Sequence, residues 1–221
     1  MTMMATDRSK QIRKNLIEHS RKIFEEQNRS QSGTGTLVAP ISPTPREIIF
    51  AVLSELDKIS PLHSSATMVD LGCGDGRWPI EFTARGSSRR AFGYDLDVDR
   101  LETGRAEAKA RGLSGRVSLT AGDIFSLPDG GGGVVEDADL IVIYLFREAI
   151  RRLCGKFRPH QTVISVGFAL PSPQWVPAWR KTVGGIHVYV YRCHDGSGTA
   201  SKLEDGRCHL KEEDGNLAST A

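Results

Sequence analysis

The sequence predicts an α/β fold: a mainly parallel sheet with helices on both faces and a late antiparallel strand. Three observations predict it. Short apolar runs recur from residue 67 to residue 192, and stretches of helical length separate most of them. The first run, "TMVDL" at 67–71, leads directly into a glycine-rich turn, "GCGDG" at 72–76. The next two runs end beside acids, Asp95 and Asp123, at the strand ends where open α/β sheets bind ligands.

The elements follow in order. "DRSKQIRKNLIEHSRKIFEEQNRS" reads as a helix with Ile12, Leu16, Ile23 and Phe24 on one face, suited to packing or to binding a partner. Its basic residues invite a mitochondrial presequence reading, which Glu18, Glu25 and Glu26 oppose because transit peptides are poor in acids. "SQSGTGT" reads as a flexible linker. A helix then starts within "SPTPREIIFAVLSELDKI". Thr44 is a good N-cap, Pro45 suits the first helical position, and Glu47 completes a capping box. Its apolar face is Ile48, Ile49, Val52, Leu53, Leu56 and Ile59.

After the first strand, a helix is expected from Arg77 to Ala84; Pro79 is tolerated in its first turn, where the backbone N–H has no intrahelical partner. Then come the strand "RAFGYDL", the helix "VDRLETGRAEAKARG", and the strands "RVSLTAG" and "ADLIVIYL". The helix "REAIRRLCGKF" and the strands "QTVISVGFA" and "GIHVYVYR" complete the series, the last as the antiparallel partner. "DGGGG" at 129–133 reads as a surface insertion. The expected organisation is an N-terminal helix and linker over 1–36, a single domain over 37–192, and a polar, disordered tail over 193–221.

Composition narrows the classes. Among 221 residues the net charge is only +2, without the excess or basic stripe of a dedicated nucleic-acid binder. No apolar run approaches bilayer-spanning length, so no integral membrane segment is expected. The four cysteines are scattered and form no disulfide framework, which fits a reducing compartment. Cys193-His194 and Cys208-His209 match no standard zinc spacing, and no metal is expected.

The glycine turn poses the chemical question of whether its ligand carries phosphates. A dinucleotide fingerprint is G-x-G-x-x-G. Here Gly72, Gly74 and Gly76 give G-x-G-x-G, and Arg77 stands where the third dinucleotide glycine would fall. Asp70 precedes the turn and Asp75 lies within it; two carboxylates repel a pyrophosphate and suit a cationic amine. S-adenosylmethionine carries that amine and a sulfonium, and no phosphate. Asp95 is placed to accept hydrogen bonds from both ribose hydroxyls, and Asp123 to receive the exocyclic amine of adenine. Trp78 is expected to pack.

With these residues in view, the chain resembles class I S-adenosylmethionine-dependent methyltransferases, whose fold is Rossmann-like. More narrowly, it resembles the small protein-lysine methyltransferases. That group includes the archaeal broad-specificity enzymes and the mitochondrial enzymes acting on the ATP synthase c-subunit and the adenine nucleotide translocase. The resemblance runs from about Pro40 to Arg192. It is carried by "PTP" at 43–45, "VDLGCGDGR" at 69–77, "GYDLD" at 93–97, "IVIYLF" at 141–146, "FALPSPQW" at 168–175 and "HVYVYR". It implies that Thr44 and Pro45 border the cofactor and that Asp70, Gly72, Gly74, Gly76, Asp95 and Asp123 line it. The chain departs from the group at Trp78 and Pro79, where aliphatic residues are usual, and at Asp95, where glutamate is common. It also lacks the hydrophobic N-terminal segment of animal members, which favours a cytoplasmic over a mitochondrial location.

The expected reaction is methyl transfer to a lysine amine by in-line displacement, with a protein presenting the lysine. The amine must first be neutral, which costs about 4–5 kcal/mol at pH 7 given a reference pKa near 10.4. An apolar channel beside a positive sulfur lowers that cost. Tyr144, Phe168 and Trp175, near the ends of the fourth and fifth strands, are the candidate channel residues, and no general base stands out. Base-amine methylation of nucleic acid calls for "NPPY" or "DPPY" after the fourth strand; "IVIYLF" disfavours it. The alternatives are a methyltransferase for RNA or a small molecule, and a non-catalytic cofactor-binding module. The oligomeric state is not legible.

Overall fold

A computed structural model describes residues 42–128, 133–171 and 175–192. The expected N-terminal helix, linker and C-terminal tail lie outside the described residues, as do most of "DGGGG" and three residues of "FALPSPQW".

The elements are α1 (Arg46–Ile59), β1 (Thr67–Leu71), α2 (Arg77–Ala84), β2 (Arg90–Asp95), α3 (Val98–Ala110) and β3 (Val117–Ala121). They continue with β4 (Leu140–Ile143), α4 (Arg147–Leu153), β5 (Thr162–Val166), β6 (Trp179–Val183) and β7 (Ile186–Arg192). The strands form one sheet in the order β3-β2-β1-β4-β5-β7-β6. β1 to β5 are mutually parallel; β7 pairs antiparallel with both β5 and β6. The order reverses between β1 and its neighbours β2 and β4, which opens a crevice at their carboxyl ends.

Burial explains the strands. β4 ("LIVI") and β5 ("TVISV") are buried throughout, as central parallel strands covered on both faces must be. On one face, Ile48, Ile49, Val52, Leu53 and Leu56 of α1 pack with Trp78 and Phe82 of α2 against Met68, Val142, Ile164 and Val190. On the other, Ala149, Ile150 and Leu153 of α4 pack with Phe157 against Leu71, Ile143, Val163 and Tyr191. α3 has little apolar face and buries Leu101, Gly104 and Ala108, the last two small enough to let it lie close to β3.

Two local expectations need correction. Thr44 does not cap α1. Pro45 is the N-cap residue, with no side-chain cap bond, and Thr44 Oγ1 instead accepts a hydrogen bond from Trp78 Nε1 at 3.3 Å. A buried indole N–H needs an acceptor, and that demand outweighs the capping preference. The second correction is β6, a strand that periodicity does not reveal. Residues 180–182 are all exposed, because an edge strand that no helix covers shows no alternation. The better signal was "GG" at 184–185. Both glycines have positive φ (59° and 87°), as a two-residue hairpin turn requires.

A buried carboxylate, Glu81 of α2, ties the helices together. It pairs with Arg46 of α1 and with Arg111 after α3, 2.7 Å from Arg111 Nη1, while Glu107 of α3 takes Arg46 Nη2 at 2.5 Å. Burial alone would raise the Glu81 carboxyl; the two guanidiniums outweigh it and hold it below the ordinary range.

Candidate functional site

The crevice at the carboxyl ends of β1–β4 is a pocket of about 570 Å³, within the usual range for small-molecule sites. Each strand contributes through the residues at or just after its end. β1 supplies Asp70, Gly72, Cys73, Gly74 and Asp75; β2 supplies Asp95, Leu96 and Asp97; β3 supplies Gly122, Asp123, Ile124 and Phe125; β4 supplies Tyr144 and Leu145. Ser42, Pro43 and Thr44 close it from the segment before α1, with Trp78 behind them.

The turn after β1 is shaped by pairing. The Gly72 and Cys73 N–H groups both donate to the Tyr94 carbonyl, so the loop stays joined to β2 beyond the end of β1. Gly74 N–H donates to Asp95 Oδ2 at 2.7 Å, and Asp97 N–H to Asp95 Oδ1 at 2.9 Å. At Gly76 (φ 71°) a Cβ would lie 2.6 Å from Leu119 Cδ1, so this position admits only glycine. Sequence reasoning missed Gly104. A Cβ there would come within 2.4 Å of the Asp75 carbonyl oxygen, so α3 reaches the loop only because the side chain is absent. A lone glycine inside a helix, costly relative to alanine, was the available signal.

The electrostatics are uneven. Asp75 is paired with Arg77 at 2.8 Å and Asp97 with Arg100 at 3.2 Å. Asp123 accepts from Phe125 N–H and Ser126 Oγ, both at 3.0 Å; the Phe125 bond leads in holding its carboxyl below the ordinary range. Asp70 differs: it is 2% exposed, and its Oδ2 has no hydrogen-bond partner. Burial, then the Asp95 and Asp75 carboxylates, push Asp70 well above the ordinary carboxylate range. A buried carboxylate oxygen without a partner, inside a pocket with four further acids, fits a ligand that brings a positive charge. Arg100 and Arg152 also border the pocket, and Arg152 lies 3.6 Å above the Phe125 ring.

Of the sequence-predicted cofactor residues, Thr44, Asp70, Gly72, Gly74, Asp95 and Asp123 line this pocket. Pro45 and Gly76 do not; they are the N-cap residues of α1 and α2. Tyr144 lines it, and burial raises its hydroxyl pKa. Phe168 sits just beyond β5, edge-on to Phe146 at 5.7 Å and beneath the Arg147 guanidinium, outside the pocket lining. Trp175 is further away. It packs on Phe157 (5.9 Å) and Tyr191 (6.2 Å), and Tyr191 pairs with Val163 near the amino end of β5, remote from the crevice. The residues that reasoning from acids and glycines passed over are Leu96, Ile124 and Phe125, the apolar part of the wall.

Comparisons with known proteins bear on the fold and the class of protein. A family model described as the ANTKMT methyltransferase domain matches residues 70–179, from the buried acid of β1 to the first residue of β6. A protein-lysine N-methyltransferase of Saccharolobus islandicus is 26% identical over 135 residues, 59% of this chain and 78% of the relative. An RNA methyltransferase from Salinibacter ruber, solved with S-adenosyl-L-homocysteine, shares the fold with TM-score 0.59 and 23% identity over 70% of this chain and 95% of its own. TrmN from Thermus thermophilus gives TM-score 0.55 at 21% identity, over 69% of this chain and 50% of its own. The chain is a class I S-adenosylmethionine-dependent methyltransferase with a Rossmann-like fold. Within that class, it resembles the protein-lysine methyltransferases.

Proposed function

We propose that the chain is a protein-lysine N-methyltransferase and that the pocket at the ends of β1–β4 holds S-adenosylmethionine. The lysine reading is carried by the 135-residue similarity to the Saccharolobus protein-lysine enzyme. The cofactor assignment is supported by the unpartnered Asp70 oxygen inside the glycine-lined turn.

S-adenosylmethionine supplies an electrophilic methyl group on a positively charged sulfur. The chain's residues bind and orient. Asp70 offers its free oxygen to a cationic amine, and the Gly72–Gly74 backbone permits close approach. Asp95 keeps lone pairs beyond its two backbone bonds, enough to accept ribose hydroxyls. Leu96, Ile124 and Phe125 give an apolar slot for a flat base. Tyr144 offers half-buried aromatic surface to an incoming amine, excluding water and favouring its neutral form. A lysine amine that has passed its proton to water would be held there with its lone pair in line with the methyl group that the cofactor would supply. Alignment carries most of the rate. Phe168, just beyond β5 and edge-on to Phe146, is the second channel residue of the proposal, whereas Trp175 supports the core behind β5.

Incubating the protein with methyl-labelled S-adenosylmethionine and whole-cell extract tests the reading. Label is expected in protease-sensitive, nuclease-resistant material and in methyl-lysine after hydrolysis, and is expected to vanish with Asp95→Ala. Label in RNA or small molecules alone would overturn the lysine assignment.

A further inference from the structure

The β6–β7 hairpin carries features that the methyl-transfer site does not use. β6 is the terminal strand of the sheet, so one side of its backbone has no strand partner among the described residues. Which groups face outward follows from the register. The His187 carbonyl accepts from Gly167 N–H, so the backbone groups of His187 face β5. Its partner across the hairpin, Thr182, therefore turns its N–H and C=O to the open edge, and by alternation so does Arg180. Along this hairpin lies a concavity of about 420 Å³, lined by Arg180, Lys181, Thr182, His187, Val188 and Tyr189. No acid lines it, and neither Arg180 nor Lys181 forms an ion pair with another described residue.

His187 and Thr182 lie at the carboxyl end of β5, the same end of the sheet as the pocket. β6 is three strand spacings from β4, roughly 14 Å, a distance that about four residues of extended chain cover. Exposed cations on an edge strand protect it against pairing with neutral, apolar strands. The same cations admit a strand that brings carboxylates.

We propose that the open edge of β6 is a docking strand for an extended, acidic stretch of the protein substrate. The incoming segment pairs its backbone with Arg180 and Thr182 and sets its carboxylates against Arg180 and Lys181. This rests on the protein-substrate reading above. It favours a peptide over RNA because backbone groups at a strand edge match a polypeptide, and the chain's net charge is only +2.

The test separates docking from transfer. Anisotropy of a labelled, capped peptide alternating glutamate and valine is measured against the full chain, beside its glutamine counterpart and a short oligouridylate. The acidic peptide is expected to bind at least fivefold more tightly than the glutamine form, with the difference shrinking as salt rises. Thr182→Pro removes an outward N–H without breaking a backbone bond to β7, at the cost of the exposed Thr182 Oγ1–His187 Nδ1 contact. It should abolish binding while the melting temperature stays within a few degrees. Thr182→Ala, which loses that contact alone, should still bind. Arg180→Glu with Lys181→Glu should weaken binding by about tenfold or more. In transfer assays on a peptide carrying a lysine beside the acidic stretch, Thr182→Pro and the double variant should raise KM and leave kcat unchanged. Binding unaffected by either of these two, or binding of oligouridylate in place of the peptide, would overturn the docking strand. Peptide binding that responds to the variants but is accompanied by no lysine methylation would retain the docking strand and remove the lysine reading.

Discussion

Two regions of the sheet, the crevice at the carboxyl ends of β1–β4 and the β6–β7 hairpin at one edge, handle charge in opposite ways. At the crevice a carboxylate is buried without a partner: Asp70, on a strand covered from both sides. At the hairpin Arg180 and Lys181 are exposed to water on an edge strand. Desolvation makes the first arrangement costly when empty and tight for a complementary ligand. Hydration makes the second weak, adjustable and sensitive to salt. The first suits one obligatory small ligand, the second a variable macromolecule.

That contrast breaks most easily at Asp70. Asp70→Asn keeps the shape and removes the charge; affinity for S-adenosylhomocysteine by calorimetry should fall by about a hundredfold or more, the scale of a lost buried charge partner. The same variant should melt at a higher temperature at neutral pH. The folded pKa of Asp70 lies above its unfolded value, so the unfolded chain binds fewer protons and stability falls as pH rises between the two. Wild type should show the matching linkage: a cation placed against Asp70 lowers its pKa, so ligand binding releases protons. Calorimetry in buffers of different ionisation enthalpy would detect this, and affinity should increase with pH across the Asp70 transition. Absence of proton release would remove Asp70 as the cation partner.

A smaller effect is expected at Gly104. Gly104→Ala drives a methyl group into the Asp75 carbonyl, which should destabilise the fold by about 1–3 kcal/mol and weaken ligand affinity through the displaced turn. Chemical denaturation and calorimetry would measure the two effects separately. Trp175→Ala should lower stability by about 3 kcal/mol and leave ligand affinity unchanged, because its contacts are with Phe157 and Tyr191. A loss of affinity equal to that of Asp70→Asn would place Trp175 with the crevice after all. Least of all, Arg180→Glu with Lys181→Glu should change S-adenosylhomocysteine affinity by less than twofold, keeping the two regions independent.

The fold was legible where burial writes a pattern. β4 and β5 are unbroken apolar runs because both faces are covered, and the α1 stripe predicted its buried face residue by residue except Ile59, which packs only partly buried at the helix end. Legibility failed where tertiary partners override local preference. Thr44 reads as a cap until the Trp78 indole claims its oxygen, and β6 reads as loop because only its end residues, Trp179 and Val183, pack against the core while 180–182 stay exposed. At the site, spacing located the glycines and acids but not their partners. Asp75 and Asp70 look equivalent in sequence; Arg77, two residues on, neutralises one and leaves the other alone. The aromatics were hardest to place, since Tyr144, Phe168 and Trp175 all follow strands, yet only Tyr144 enters the pocket wall.

Asp95 grips the Gly74 amide with one oxygen and the Asp97 amide with the other. A single side chain thus splices the bend after β1 to the N-cap of α3, so any molecule that competes for those oxygens tugs both segments together. In a titration followed by nuclear magnetic resonance, the two amide signals should move in step, and Asp95→Ala should uncouple them.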